Sequence, residues 1–111
     1  MSTATSIRAW AAQALNQPVV PFSYDPGSLG AEDVEIRVEH CGLCHSDLSV
    51  IDGEWGPAAY PVVGGHEVIG TVVALGSQAR GLKLGQRVGL GWMSGSCMAC
   101  APCLSGQPQM C

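Results

Sequence analysis

Four cysteines end the sequence in a tight run, Cys97, Cys100, Cys103 and Cys111, spaced C-x2-C-x2-C-x7-C. Two-residue gaps let neighbouring thiolates turn inward on one ion. The longer gap carries Gly106 and Pro108, so the chain can loop back with a fourth sulfur. Such a set suits a closed tetrahedral zinc site, with four sulfur ligands at about 2.3 Å and no open position. A disulfide framework is the plain alternative, and so tight a run fits it less well. An iron–sulfur cluster is the other. Bacterial ferredoxins share the first three spacings, but their fourth cysteine follows after x3 and precedes a proline. The sequence stops on Cys111, itself a predicted ligand. A frayed terminus holds a ligand poorly, so this is expected to be the N-terminal piece of a longer protein.

The remaining 94 or so residues must then supply a core. Hydrophobic residues make up 47% of the 111 and charged residues 13%, which argues against disorder. Fifteen glycines and seven prolines favour short strands and turns over long helices. The net charge is −4, and the five basic residues, Arg8, Arg37, Arg80, Lys83 and Arg87, are scattered. No nucleic-acid or anionic-membrane surface is expected. No apolar run approaches the roughly 18 residues of a membrane span. The first ten residues have no basic stretch leading into an apolar core, so no secretory signal is expected. Cysteines without an export signal point to a reducing, cytoplasmic setting and to metal.

Taken in order, residues 7–14 read as a weakly alternating strand, with Ile7, Ala9 and Ala11 opposite Arg8, Trp10 and Ala12. Residues 18–24 read as a second strand, and Pro21 makes it an edge. Residues 33–39 alternate strictly and put Val34, Ile36 and Val38 inward. Ser46 is a candidate helix cap for residues 47–51, with Asp52 and Gly53 as the stop. Residues 54–61 read as a loop. Residues 68–75 read as an apolar strand interrupted by Gly70, and residues 87–92 as the last strand. The pattern predicts a mainly β chain, a small barrel with one short helix and a metal loop.

A second group of ligand-type residues precedes the cysteine run. Cys44, His66 and Glu67 each stand beside glycines that allow close packing. One Cys and one His resemble a catalytic Cys2His zinc site that lacks a cysteine. Asp47 is placed to accept the second ring N–H of His66. Ser46 is placed to exchange a proton with a metal-bound oxygen. Taken singly, Cys44 reads as a packed thiol, His66 with Glu67 as a hydrogen-bonded surface pair, and Trp55 and Trp92 as barrel packing. Cys41 reads as an inert buried thiol.

Three motifs in one order narrow the choice. Gly42-Leu-Cys44-His45-Ser46-Asp47, then Gly65-His66-Glu67-x2-Gly70-x5-Gly76, then the cysteine run resemble the zinc-dependent medium-chain alcohol dehydrogenases. The likeness runs from about Asp33 onward and is nearest the yeast-type and cinnamyl-alcohol-type branches. It implies a partial GroES-like catalytic domain over residues 1–111, with a structural-zinc lobe at 91–111. It also implies catalytic-zinc ligation by Cys44, His66 and Glu67, and structural-zinc ligation by Cys97, Cys100, Cys103 and Cys111. Ser46 would take the alcohol proton, Asp47 would orient His66, and His45 would lie near the pyrophosphate of NAD or NADP. Trp55 and Trp92 would line the substrate pocket. The implied reaction is reversible oxidation of a small alcohol to an aldehyde or ketone, by a homo-oligomeric parent. Two departures stand out: Ser49 replaces a family histidine, and Gln86 replaces an aspartate before Arg87. Gly89-Leu-Gly91-Trp-Met-Ser94 is rejected as a dinucleotide fingerprint, since it leads into a metal loop rather than a helix. The Rossmann domain and a third catalytic cysteine would lie beyond Cys111, so this chain alone is expected to bind no NAD(P) and turn nothing over. Outside this family, the alternatives are a stand-alone zinc-binding structural module and a small iron–sulfur electron carrier.

Overall fold

A computed structural model describes residues 6–111. Half of the ten-residue segment read for a secretory signal, residues 1–5, lies outside the described residues. The strands are β1 (Ile7–Ala12), β2 (Val19–Tyr24), β3 (Val34–Cys41), β4 (Val62–Val63), β5 (Val68–Leu75) and β6 (Arg87–Leu90). Helix α1 (His45–Ile51) follows β3, and α2 (Ala101–Leu104) with a 310 turn (Pro108–Met110) forms the C-terminal lobe. Two antiparallel three-stranded sheets result, in the orders β2-β1-β4 and β3-β5-β6. Pro21 lies on β2, which among the described residues pairs only with β1 and is therefore an edge strand, as expected.

The second sheet carries most of the core. β5 lies between β3 and β6 and buries Gly70, Val72 and Ala74 in alternation. Gly70 does not interrupt this strand. A Cβ there would sit 2.5 Å from Arg37 O and from Ile36 Cγ2, so glycine lets β3 cross close by. β3 shifts register twice opposite β5, once between Glu35 and Ile36 and again between Val38 and His40.

Those shifts overturn part of the expected alternation. Val38 is 57% exposed rather than inward. With Ile36, Val68, Val88 and Leu90 it lines an open hollow of about 910 Å³. β1 also departs from strict alternation. Ala11 and Ala12 are both fully buried, because at that end β1 is flanked by β2 and by β4. β4 itself is two residues long, too short for periodicity to reveal.

Helix α1 starts earlier than expected. Cys44, not Ser46, is the N-cap, and its N–H donates to Asp47 Oδ2 at 3.1 Å. Asp52 and Gly53 close the helix as expected, with N–H groups on Leu48 O and Val50 O. The Tyr60 hydroxyl donates to Ile51 O at 2.6 Å and ties the following loop to the helix. β6 ends at Leu90, two residues before Trp92.

Candidate functional site

The loop after β3, the start of α1 and the loop before β5 meet in one place. One ligand atom each from Cys44, His66 and Glu67 lies within 4.8 Å of the others. Asp47 organises the meeting. Its Oδ1 accepts from Gly65 N–H at 2.8 Å and pairs with His66 Nδ1 at 2.9 Å, while Oδ2 holds the Cys44 N–H. With Nδ1 so engaged, Nε2 is the ring nitrogen left for a metal. Glu67 packs over Gly42, where a Cβ would collide with its carboxylate. The Gly42 N–H donates to Glu67 O at 3.0 Å and pins the two loops together.

The electrostatics favour a charged set. The hydroxyl and the N–H of Ser46, with a smaller contribution from His66, hold the Cys44 thiol below its ordinary range. Asp47 raises His66 through their hydrogen bond. Burial works to raise Asp47, yet the Cys44 N–H, His66 and the Gly65 N–H together hold it below the usual carboxylate range. A thiolate, an imidazole and a carboxylate form a donor set that fits zinc.

Two aromatic rings stand at this cluster. Trp92 meets His66 edge-on, with centroids 4.8 Å apart, and Trp55 lies 5.9 Å from Trp92. Both indoles are largely exposed. His45 is the first residue of α1 and is exposed, outside the convergent cluster. Cys41 is exposed rather than buried, and its sulfur packs against Gly65. The sequence reading passed over one pair: the Ser49 hydroxyl donates to Glu54 Oε2 at 2.7 Å. Nothing in the spacing of a serine and a glutamate marks such a contact.

The cysteine run forms a second cluster. The sulfurs of Cys97, Cys100, Cys103 and Cys111 also lie within 4.8 Å of one another. Cys97 Sγ accepts from Cys100 N–H at 3.2 Å and from Ala99 N–H at 3.4 Å. These N–H groups, with Cys100 and Cys111, bring its thiol down to about 6. Cys97 N–H in turn donates to Cys111 Sγ at 3.4 Å. Cys100 Sγ lies 3.3 Å from Cys103 Sγ, and Cys103 is the buried member. Four converging sulfurs with backbone N–H groups aimed at thiolate fit a closed zinc site.

Residues 30–111 match the alcohol dehydrogenase GroES-like domain family. The chain belongs to that family, within the zinc-type medium-chain alcohol dehydrogenases. This GroES-like domain is 55% identical over 105 residues to the aldehyde reductase AdhA of Synechocystis, covering 95% of the chain and 31% of that protein. It superposes on a cinnamyl alcohol dehydrogenase of Sorghum bicolor with a TM-score of 0.88 at 42% identity, covering 96% of the chain and 30% of that structure. A cinnamyl alcohol dehydrogenase from Helicobacter pylori, solved with NADP(H), gives a TM-score of 0.89 at 33% identity, covering 96% and 30%. The GroES-like domain here thus spans about 30% of the length of the relatives it matches. The mainly β fold is that of the domain in those enzymes.

Proposed function

We propose that this chain forms the metal-centre portion of a zinc-dependent alcohol dehydrogenase. Residues 1–111 would be a partial GroES-like catalytic domain, with its structural-zinc lobe at 91–111. The enzyme interconverts a small alcohol and its aldehyde or ketone with NAD or NADP, acts in the cytoplasm and is a homo-oligomer. One observation carries the reading: Cys44, His66 and Glu67 converge beside an aromatic pair, with Asp47 fixing His66. Likeness to an aldehyde reductase and to an NADP(H)-bound dehydrogenase supports it.

Cys44 and His66 would hold the catalytic zinc, with Glu67 as a further ligand. Cys97, Cys100, Cys103 and Cys111 would hold the structural zinc. When bound, the catalytic ion supplies Lewis acidity that lowers the pKa of an alcohol. The chain's own residues do the rest. Asp47 fixes the His66 tautomer and presents Nε2. The Ser46 hydroxyl, next to Cys44, takes the alcohol proton at Oγ. Trp55 and Trp92 wall the approach and exclude water from the apolar part of the substrate. His45, at the exposed start of α1, would lie near the cofactor pyrophosphate.

Metal analysis of the purified chain, with an absorption spectrum, is the first test. Zinc without a visible band supports the reading, while iron with a visible band replaces it with an electron carrier. In the full-length protein, His66→Ala is expected to abolish alcohol turnover and to leave the lobe zinc bound. Wild-type turnover by that variant refutes the catalytic assignment. A full-length wild-type protein that holds zinc and turns over no alcohol would be a structural zinc-binding module instead.

A further inference from the structure

Residues 91–96 join β6 to the cysteine run without helix or strand. Gly91 and Gly95 have open space where a Cβ would sit, so the segment is not packed at either. Among the described residues, no backbone hydrogen bond ties 91–95 to the sheets or to α1. Trp92 departs from this slackness. Its ring meets His66 at 75°, with centroids 4.8 Å apart, and the Trp55 ring lies 5.9 Å from it on the loop after α1. Trp92 stands five residues before Cys97. One side chain thus joins the segment that leads into the four sulfurs to a ligand-type residue of the other cluster.

His66 has use for a second restraint. The last torsion of a histidine side chain is broad. Asp47 Oδ1 pairs with Nδ1 at 2.9 Å, but one hydrogen bond at one ring atom leaves the ring able to rock about it. Such rocking swings Nε2, the nitrogen left for a metal. An aromatic edge contact has its own preferred geometry and opposes the motion. Asp47 therefore sets which nitrogen is offered, and Trp92 limits where that nitrogen points.

We propose that Trp92 is a positioning residue for His66 and couples the two clusters, so that filling the cysteine lobe tightens divalent-cation binding at Cys44, His66 and Glu67. The inference rests on the reading of two zinc sites given above. The element with two states is the lobe, ordered with its four sulfurs on an ion and loosened without one. In the ordered state the segment before Cys97 keeps Trp92 against His66. In the loosened state Trp92 leaves, and the His66 ring rocks. No covalent bond changes. Linkage makes the effect mutual: an ion at Cys44 and His66 tightens the hold of the lobe on its own ion by the same factor.

In the full-length protein that carries this chain, with zinc kept in the lobe, cobalt(II) titrated into the Cys44–His66 cluster reports affinity through its sulfur-to-metal absorption. Trp92→Leu is expected to weaken cobalt binding about three- to tenfold, the range that an edge-on aromatic contact can supply. Trp92→Phe should keep most of the affinity. Cys100→Ser, which breaks the lobe, should weaken cobalt binding by a similar factor, and adding Trp92→Leu to it should weaken it no further. Wild-type affinity in Trp92→Leu overturns the proposal. So does a double variant whose two losses multiply, since the lobe would then act without the indole. NMR of the 111-residue chain gives a measure that needs no broken lobe. The indole ring current shifts the His66 ring protons, and chelation of all metal should bring them to the positions seen in metal-free Trp92→Leu. If the metal-free wild type and Trp92→Leu chains differ as much as the zinc-loaded ones, Trp92 stays on His66 without the lobe and the coupling is refuted. A wild-type protein that takes up no cobalt at Cys44 and His66 refutes the two-site reading itself, before any substitution is made.

Discussion

Met98 adopts a φ of 54°, in the left-handed region that an L side chain enters at a cost of about 1–2 kcal/mol. The strain has a local reason. Turning the chain at Met98 aims the Ala99 and Cys100 N–H groups back at Cys97 Sγ. Ser96 Oγ also reaches Met98 Sδ at 3.1 Å, a weak contact on an exposed side chain. Met98→Gly should therefore stabilise the zinc-loaded chain by roughly 0.5–1 kcal/mol, less than the full strain because glycine loses more chain entropy. Met98→Val should destabilise it, since a branched Cβ suits that region worst. Denaturant unfolding of both variants checks this, and a glycine variant less stable than the valine variant refutes it. The cysteine spacing was legible in the sequence because metal geometry acts over two residues. The Met98 conformation was not, because no residue type there announces a positive φ.

At the scale of elements, Asp47 joins α1 to the loop before β5. It accepts the Cys44 N–H within its own helix start and reaches 18 positions on to the Gly65 N–H, with His66 next to it. The sequence reading paired Asp47 with His66 but set the cap at Ser46. By residue type serine caps better than cysteine, and the N3 carboxylate at Asp47 outweighs that preference once the loop packs on it. β3 shows the same limit. Its alternation located the strand, while the register shifts opposite β5 and the exposure of Val38 are not written in that alternation. The tie has a pH signature in the metal-free chain. Asp47 is held low, so its contribution is present above its unfolded pKa of about 3.9 and is lost as acid takes the pH down through the folded value. His66 is held high, so its contribution is complete below an unfolded pKa of about 6.5 and is lost as pH rises through the folded value. Both operate between about pH 4 and 6.5. Asp47→Asn should lower stability there, since the charge-assisted hydrogen bonds lose their acceptor charge, and should flatten the profile. Urea midpoints measured across that range test it. An Asn variant that keeps the wild-type pH dependence removes Asp47 from the tie.

Across the whole molecule, the sheets and the C-terminal lobe are held by different means. The sheets have an apolar centre in Ala11, Ala12, Val72 and Ala74. In the lobe Cys103 is the buried residue, while Met98, Leu104 and Met110 stand well exposed. On the zinc reading proposed above, so small a unit without an apolar core would keep its order through its sulfur ligands, and its metal affinity would be folding free energy. Removing the ion should therefore melt the lobe and spare the strands. Amide exchange reads both at once. The Leu104 and Ser105 N–H groups, bonded to Cys100 O and Ala101 O at 3.0 Å, should lose protection on chelation. The Val72 N–H, bonded to Gln86 O at 2.9 Å, should keep it. Cys100→Ser should reproduce the chelated pattern with zinc present. Trp92, at the start of the 91–111 lobe, packs edge-on against His66, so its fluorescence should shift with the lobe. If the Leu104 amide stays protected without metal, the lobe has a source of order beyond its four sulfurs, and the structural role assigned to the ion is wrong.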